Sequence, residues 1–236
     1  MTESDPAAEL VREGEEALDL GEFDHALECF EEALRVDPEH YGATLDRSET
    51  LHLMWRTKEA LEAALDASPP PDEEDDPDRV DLEGRIRESA GDFHGADALF
   101  QEAHELDPGE FPLPVRMSAE DFRSILDKVL ESLPEAIRSA LVEVPVLVEA
   151  KPTIAIADRA PEITPEVLGL FVGTPVGEKL QTSGGYPDVV LLFQRNLERA
   201  GRSRAEVAKE IKITLLHEYG HYLGFDEEEL EHLGLA

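Results

Sequence analysis

The sequence predicts an α+β protein, with an all-helical first half and a smaller second half that mixes helices with short strands. In the first half, small and aromatic residues recur at a fixed spacing, which predicts repeated helical hairpins. In the second half, Val144 to Val148 and Val189 to Phe193 are apolar runs typical of strands. Near the C-terminus, Ile211 to Leu223 is an apolar helical stretch that contains a His-Glu-x-x-His pattern.

The repeat appears when the chain is compared with itself. The pairs, 70 residues apart, are Gly14 with Gly84, Gly21 with Gly91, Phe23 with Phe93, Ala26 with Ala96, Phe30 with Phe100, Ala33 with Ala103, and Pro38 with Pro108. This spacing is two periods of about 34 or 35 residues, the length of a tetratricopeptide hairpin. The segment resembles a tetratricopeptide array of three repeats with a degenerate central one, which keeps Ala60, Ala64 and Ala67. Such arrays bind peptides or proteins, dimerise, or pack against a neighbouring domain, and the sequence leaves these roles open.

Two proline-rich segments divide the chain. Residues 68–78, SPPPDEEDDPD, combine helix-breaking prolines with mutually repelling acids, which predicts an acidic loop between repeats. Residues 108–114, PGEFPLP, cannot continue a helix, which predicts a domain boundary. We therefore predict a tetratricopeptide-like domain at residues 1–110 and a second domain at residues 115–236.

In the second domain, Ser118 and Asp121 form an approximate capping box ahead of a helix. After it we predict a helix from Pro134 to about Leu141, a strand at residues 144–148 and a loop at 150–164, with 154–157 briefly extended. A further element of unassigned type follows at 168–172, then a turn at 183–187 and the second clear strand at 189–193. The last predicted elements are a connection at 195–201, a long helix capped by Ser203, and a helical turn at 226–233. The strand at 189–193 is interpreted as core. The alternative is an edge strand that pairs with a substrate backbone.

The His-Glu-x-x-His pattern predicts a metal centre. His217 and His221 lie four residues apart, so a helix presents both imidazoles on one face to one ion. Glu218 lies beside them, where its carboxylate can take a proton from a metal-bound water, as in zinc hydrolases. Gly220 inside the helix indicates close packing against a neighbouring element, and Gly224 is expected to end the helix.

A third protein ligand is required, and only a short segment follows His221. In the pattern H-E-x-x-H-x-x-G-x-x-H the last ligand lies three residues after the glycine, and Glu227 occupies that position here. No methionine follows, so a Met-turn is absent from the sequence. We predict Glu227 as the third ligand, with Asp226 as the alternative; His232 is interpreted as a surface residue.

The second domain resembles the minimal bacterial zincin-like metallopeptidases, a family once described only as a domain of unknown function. The resemblance runs from about Val115 to the C-terminus, through the pieces RMSAEDFRSILDKVLESLPEAI, VPVLVEAKP, LGLFVGTP, SGGYPDVVLLFQRNLE and ITLLHEYGHYLGFDEEELEHLG. In this family the terminal ligand position is commonly aspartate, whereas this chain has Glu227. The resemblance implies a zincin-like α+β domain, a Zn²⁺ cofactor and peptidase activity.

Composition limits the partners. The net charge of −34 would repel nucleic acids and anionic membranes, so neither is expected to bind. Cys29 is the single cysteine, which excludes an internal disulfide, and its place in a helical pattern predicts a buried apolar role. The N-terminus is polar and acidic, unlike a signal peptide, and no apolar run is long enough to span a membrane. A cytoplasmic location is expected.

These observations predict a zinc-dependent metallopeptidase that hydrolyses peptide bonds through a metal-bound water. The substrate is a peptide or protein, and the repeats offer a surface for a protein partner. The alternative is a non-catalytic binding module whose zincin domain is a metal-stabilised scaffold.

Overall fold

The computed structural model describes residues 5–69, 76–141, 144–175 and 188–232. The chain divides into two compact units, the first formed by Met1–Leu113 with Thr153–Pro165 and the second by Pro114–Pro152 with Glu166–Ala236. The turn predicted at residues 183–187 and most of the acidic loop predicted at 68–78 lie outside the described residues. Among the helices that are described, none is both long enough and apolar enough to cross a bilayer.

Three helical hairpins are described in the first unit. They are α1 (Pro6–Asp19) with α2 (Phe23–Val36), α3 (Tyr41–Leu53) with α4 (Thr57–Asp66), and α5 (Pro77–Ser89) with α6 (Phe93–Leu106). Asp5 and Asp76 cap α1 and α5, and a proline follows each cap at the first helical position, where its missing N–H costs nothing. The hairpins agree with the predicted array, including a central repeat that has lost its signature residues.

The repeated glycines mark contacts between the two helices of a hairpin. A Cβ atom at Gly14 would lie 2.6 Å from the ring of Phe30, and one at Gly84 would lie 2.8 Å from the ring of Phe100. Both phenylalanines are buried. A side chain at either glycine would therefore displace a packed ring, which explains why these pairs recur together.

Residues 154–157 are helical and not extended as predicted. Ile154–Ala157 forms α9, in which the Thr153 carbonyl accepts the N–H groups of Ile156 and Ala157. The segment belongs to the first unit, where Ile163 is buried and its carbonyl accepts a 2.9 Å hydrogen bond from Trp55 Nε1. The segment is rich in proline and has no clear periodicity, so the sequence did not indicate this helix; local hydrogen bonds and packing in the first unit decide the conformation.

In its described residues, the second unit packs helices against a three-stranded sheet. Its elements are α7 (Ala119–Ser132), α8 (Glu135–Leu141), β1 (Val146–Glu149), β2 (Gly169–Val172), β3 (Val189–Phe193), α10 (Gln194–Ala200), α11 (Arg204–Leu223) and α12 (Glu227–His232). The described strand order is β1-β3-β2, with β1 parallel and β2 antiparallel to β3. Ser118 caps α7 by accepting the Asp121 N–H, as predicted. These elements confirm the α+β fold class.

Strand β3 is the centre of the sheet. It is hydrogen-bonded to β1 on one side and β2 on the other, and Val190, Leu192 and Phe193 are fully buried. Its interpretation as core is confirmed. The alternative, in which it pairs with a substrate backbone, is wrong because both of its edges are occupied.

The connection predicted at residues 195–201 is wrong, because Gln194–Ala200 forms helix α10 directly after β3. Asn196 on this helix is buried, accepts a 2.6 Å hydrogen bond from Lys151 Nζ and donates a 2.6 Å bond to the Val167 carbonyl. The sequence QRNLER was interpreted as part of a short connection. Its polar groups are instead satisfied inside the unit, which holds the helix against the end of the sheet.

We predict that Gly14→Ala lowers the free energy of unfolding of the first unit by up to about 2 kcal/mol. Overpacking against Phe30 costs about 1–3 kcal/mol, and the better helix propensity of alanine returns about 1 kcal/mol at most. Urea titration followed by the fluorescence of Trp55, the single tryptophan, measures this change in the full chain. In the control Gly42→Ala, the new Cβ meets only His40 at 3.6 Å, so stability should not fall. Equal losses in both variants would contradict the packing role of Gly14.

Candidate metal centre

Helix α11 carries the His-Glu-x-x-His pattern through the core of the second unit. Ser203 begins the helix by accepting the Glu206 N–H, and Gly224 ends it in the left-handed conformation at φ +94°. Ile211 and Leu215 are fully buried in the core cluster. Both predicted ends of the helix are confirmed. Because Ile211 and Leu215 are packed in the core, the helix cannot rotate about its axis, and the side chains of the following turns point in fixed directions.

The two histidines face each other at the end of α11. His217 Nε2 and His221 Nε2 lie 3.0 Å apart, and the rings meet edge to face at 83° with centroids 4.6 Å apart. His221 Nδ1 lies 3.2 Å from the Phe225 carbonyl. A carbonyl only accepts, so Nδ1 carries the proton, and the Nε2 lone pair of His221 is directed toward His217.

Glu218 lies on the buried side of the helix. Its side chain is 7% exposed, and Oε2 accepts a 2.6 Å hydrogen bond from the backbone N–H of Phe171 in β2. A Cβ atom at Gly169 would lie 2.5 Å from Thr214 Cγ2 and 3.2 Å from Glu218 Cγ. Strand β2 therefore approaches the helix closely, and its backbone orients the carboxylate. Gly169 and Phe171 were not among the predicted site residues; the glycine that opens the GLFV strand is the signal that could have indicated them.

Helix α12 packs back on α11. A Cβ atom at Gly220 would lie 2.2 Å from Leu230 Cδ2, and Leu230 is fully buried, which confirms the close packing predicted for Gly220. Asp226 caps α12: its Oδ1 accepts the Glu229 N–H at 3.0 Å, while Glu229 Oε2 accepts the Asp226 N–H at 3.1 Å. Glu227 is the first residue of α12, and its side chain lies outside the described part of the chain.

The structure also locates His232, which was interpreted as a surface residue, and Tyr222 on α11. His232 is exposed at the end of α12. Tyr222 is buried, with its ring 5.7 Å from that of Phe171 and 5.6 Å from that of Tyr219. Tyr222 therefore contributes to packing between α11 and β2.

The histidine pair fits a zinc ion. With Zn–N distances of about 2.0–2.1 Å, two nitrogen ligands of tetrahedral zinc lie about 3.3–3.4 Å apart. The observed 3.0 Å separation is close to this value. The Nδ1 contact of His221 with a backbone carbonyl also matches the hydrogen bond that metal-binding histidines make with their second nitrogen.

The roles of Asp226 and Glu227 can be separated by mutation. Because the Asp226 side chain already caps α12, Asp226→Ala should reduce helix stability by about 1 kcal/mol and zinc affinity only slightly. Glu227→Ala should lower zinc affinity by more than the roughly tenfold that loss of an outer-shell partner causes. Competition with a chelator indicator measures both affinities. If Asp226→Ala lowers zinc affinity more than Glu227→Ala does, the third ligand is Asp226. If both variants lower zinc affinity only slightly, the third ligand is His232 or a solvent molecule.

The comparisons with known proteins agree with both halves of the chain. Residues 141–235 match the family model of zincin-like metallopeptidases, and residues 11–76 match a tetratricopeptide repeat model. No match was found among curated proteins. Among solved structures, the first tetratricopeptide domain of Spaghetti (RPAP3), bound to the HSP90 peptide SRMEEVD, is similar at 17% identity and a TM-score of 0.41, over 44% of this chain and 81% of that chain. The chain thus joins tetratricopeptide repeats to a domain of the zincin-like metallopeptidase family.

Proposed function

We propose that the second unit is a zinc-dependent peptidase in which His217 and His221 hold the metal and Glu218 is the general base. The observation that carries this proposal is the pair of Nε2 atoms 3.0 Å apart, one residue from a buried and oriented carboxylate. When bound, zinc would polarise the substrate carbonyl and lower the pKa of water in the site. Glu227 is proposed to complete the protein ligands.

The chain's own residues supply the proton transfer. Glu218 accepts the proton of the attacking water and passes it to the amine nitrogen that leaves. The Phe171 N–H holds Oε2 at 2.6 Å, which limits the rotation of this carboxylate. Limited rotation matters because a general base must stay within hydrogen-bond reach of the proton it takes.

Strand β2 is the proposed support for the substrate. In the described sheet β2 pairs with β3 alone, so it is the strand with an outer edge next to Glu218. An extended peptide can add to such an edge through backbone hydrogen bonds. We therefore propose that β2 pairs with the substrate backbone. Strand β3 cannot do so because both of its edges are occupied.

Replacing Glu218 by glutamine tests the mechanism. Glu218→Gln keeps an oxygen that can accept the Phe171 N–H but loses the base, so zinc should still bind while turnover falls by about 10²–10⁴-fold. Cleavage of a peptide library, with and without a chelator, measures the activity. The matched control is Glu210→Gln, two turns earlier on α11, which should keep both zinc and activity. If Glu218→Gln remains fully active, Glu218 is not the base; if the wild type shows no chelator-sensitive cleavage, the scaffold alternative is favoured.

The repeats are proposed to bind a basic protein segment in a groove between α3 and α5. The groove has a volume of about 320 Å³ and is lined by Tyr41, Gly42, Leu45, Asp46, Glu49, Asp76, Asp78, Asp81, Leu82, Arg85 and Phe111. Five of these residues are acidic and one is basic. Burial, together with repulsion from Glu15 and Glu49, raises the pKa of Asp46 to about 7. A cationic side chain in the groove would relieve this repulsion.

Binding to this groove should depend on pH. The ionised form of Asp46 attracts a cation more strongly, so affinity for a Lys/Arg-rich peptide should rise between pH 6 and pH 8. The gain should be roughly three- to fivefold, equivalent to about 0.5–1 kcal/mol for one partly exposed ion pair. Fluorescence anisotropy measures it, and Asp46→Asn should remove the pH dependence. Asp19→Asn changes the same formal charge at an exposed position. Equal behaviour of the two variants, or preference for a Glu-rich peptide, would contradict a role for the groove.

A further inference from the structure

A second cluster of metal-ligating side chains lies in the first hairpin. Glu13 on α1 and His25 and Cys29 on α2 offer one ligand atom each, and these atoms all lie within 4.8 Å of one another. His25 Nε2 is 3.3 Å from Glu13 Oε1 and 3.9 Å from Cys29 Sγ. His25 and Cys29 are four residues apart, so they share one face of α2, which is packed on α1.

The two distances from His25 Nε2 are close to those of a coordination shell. With Zn–S near 2.3 Å and Zn–N and Zn–O near 2.0–2.2 Å, tetrahedral geometry puts sulfur and nitrogen about 3.6 Å apart, and nitrogen and oxygen about 3.3–3.4 Å apart. The nitrogen–oxygen distance here already has this value, and the sulfur–nitrogen distance exceeds it by a few tenths of an ångström. His25 and Glu13 are about half exposed, so both side chains can adjust and an ion can enter from solvent.

The third hairpin shows what the same positions look like without such a cluster. Seventy residues later, Glu13, His25 and Cys29 correspond to Glu83, Gly95 and Leu99. There the carboxylate of Glu83 accepts hydrogen bonds from Arg87 at 2.7–2.8 Å, and the residue at the position of Arg87 in the first hairpin is Ala17. The arginine partner is thus replaced by a histidine and a thiol from the facing helix. Leu99 shows that packing of this hairpin does not require a cysteine.

We propose that Glu13, His25 and Cys29 form a second metal site, which takes Zn²⁺ or a similar borderline divalent cation with solvent as a further ligand. A thiolate, an imidazole and a carboxylate suit such ions, whereas Ca²⁺ and Mg²⁺ prefer oxygen ligands alone. Binding forms a metal–sulfur bond and releases the thiol proton to solvent. The bound ion would link α1 to α2 in the helical unit, independently of the His-Glu-x-x-His site.

A reactive thiol is the other chemical role for Cys29, and its surroundings oppose it. The side chain is buried, and burial together with the nearby carboxylates of Glu13 and Glu28 raises the pKa of the thiol. Nucleophilic cysteines instead have a lowered pKa beside positive charge. A cation is the partner that this negative environment favours.

Cobalt substitution tests the proposal in the full chain, because Cys29 is the only cysteine. The chain is stripped with a chelator, kept reduced with a phosphine and titrated with Co²⁺. A near-ultraviolet thiolate-to-cobalt band can arise only from Cys29, since the proposed peptidase site has no sulfur ligand. We expect this band in the wild type and in the double variant His217→Ala/His221→Ala, and two zinc ions per wild-type chain by calorimetry.

The variants decide whether the cluster acts as one site. Cys29→Ser should remove the band, and His25→Ala and Glu13→Gln should weaken cobalt binding by more than roughly tenfold. His94→Ala, at an exposed position of α6, is the matched control and should leave binding unchanged. Absence of the band in a wild type with intact far-ultraviolet circular dichroism would overturn the proposal, as would a band insensitive to both His25→Ala and Glu13→Gln. Peptidase activity is measured separately, so failure of the second metal site can be distinguished from failure of the proposed peptidase site.

Discussion

Helix α11 packs against β2, β3, α7 and α10, and these contacts position the chemically important side chains of the second unit. Two glycines allow the close approach on which the packing depends. An added methyl group would meet Thr214 at 2.5 Å if placed on Gly169, and Leu230 at 2.2 Å if placed on Gly220. The helix is therefore held between a strand and a short helix with little space to shift. A site built on a constrained helix keeps its geometry better than one built on a loop.

The acidic composition has different consequences in different places. On the outer surfaces many carboxylates pair with arginines one turn away, as Glu16 does with Arg12, and such exposed pairs contribute little stability. Around Asp46 the carboxylates are partly buried and repel one another, which raises its pKa to about 7. Around Cys29 they disfavour the thiolate unless a cation is present. Attraction of cations is thus concentrated at a few positions, and net charge alone does not reveal which ones.

The sequence predicted those features that arise from local rules. Helix caps at Ser118 and Ser203 and the left-handed end at Gly224 follow from backbone hydrogen bonding and steric freedom, which depend on a few neighbouring residues. The errors concern segments whose conformation is set by distant contacts. Residues 154–157 pack in the first unit, and Asn196 on α10 is satisfied by Lys151 and Val167. The histidine spacing was readable, whereas the Phe171 N–H that orients Glu218 comes from 47 residues away.

Comparing the first hairpin with the third distinguishes the residues that helix packing requires from the residues that can form a site. Both keep a glycine beneath a buried phenylalanine, Gly14 with Phe30 and Gly84 with Phe100, because the two helices cannot approach otherwise. A glutamate directly precedes each glycine; it pairs with an arginine in the third hairpin and belongs to a Glu-His-Cys cluster in the first. Packing thus restricts the helix contacts and leaves neighbouring positions free to change chemistry. The second unit has the same division, since glycines fix the place of α11 while the adjacent side chains determine what it can bind.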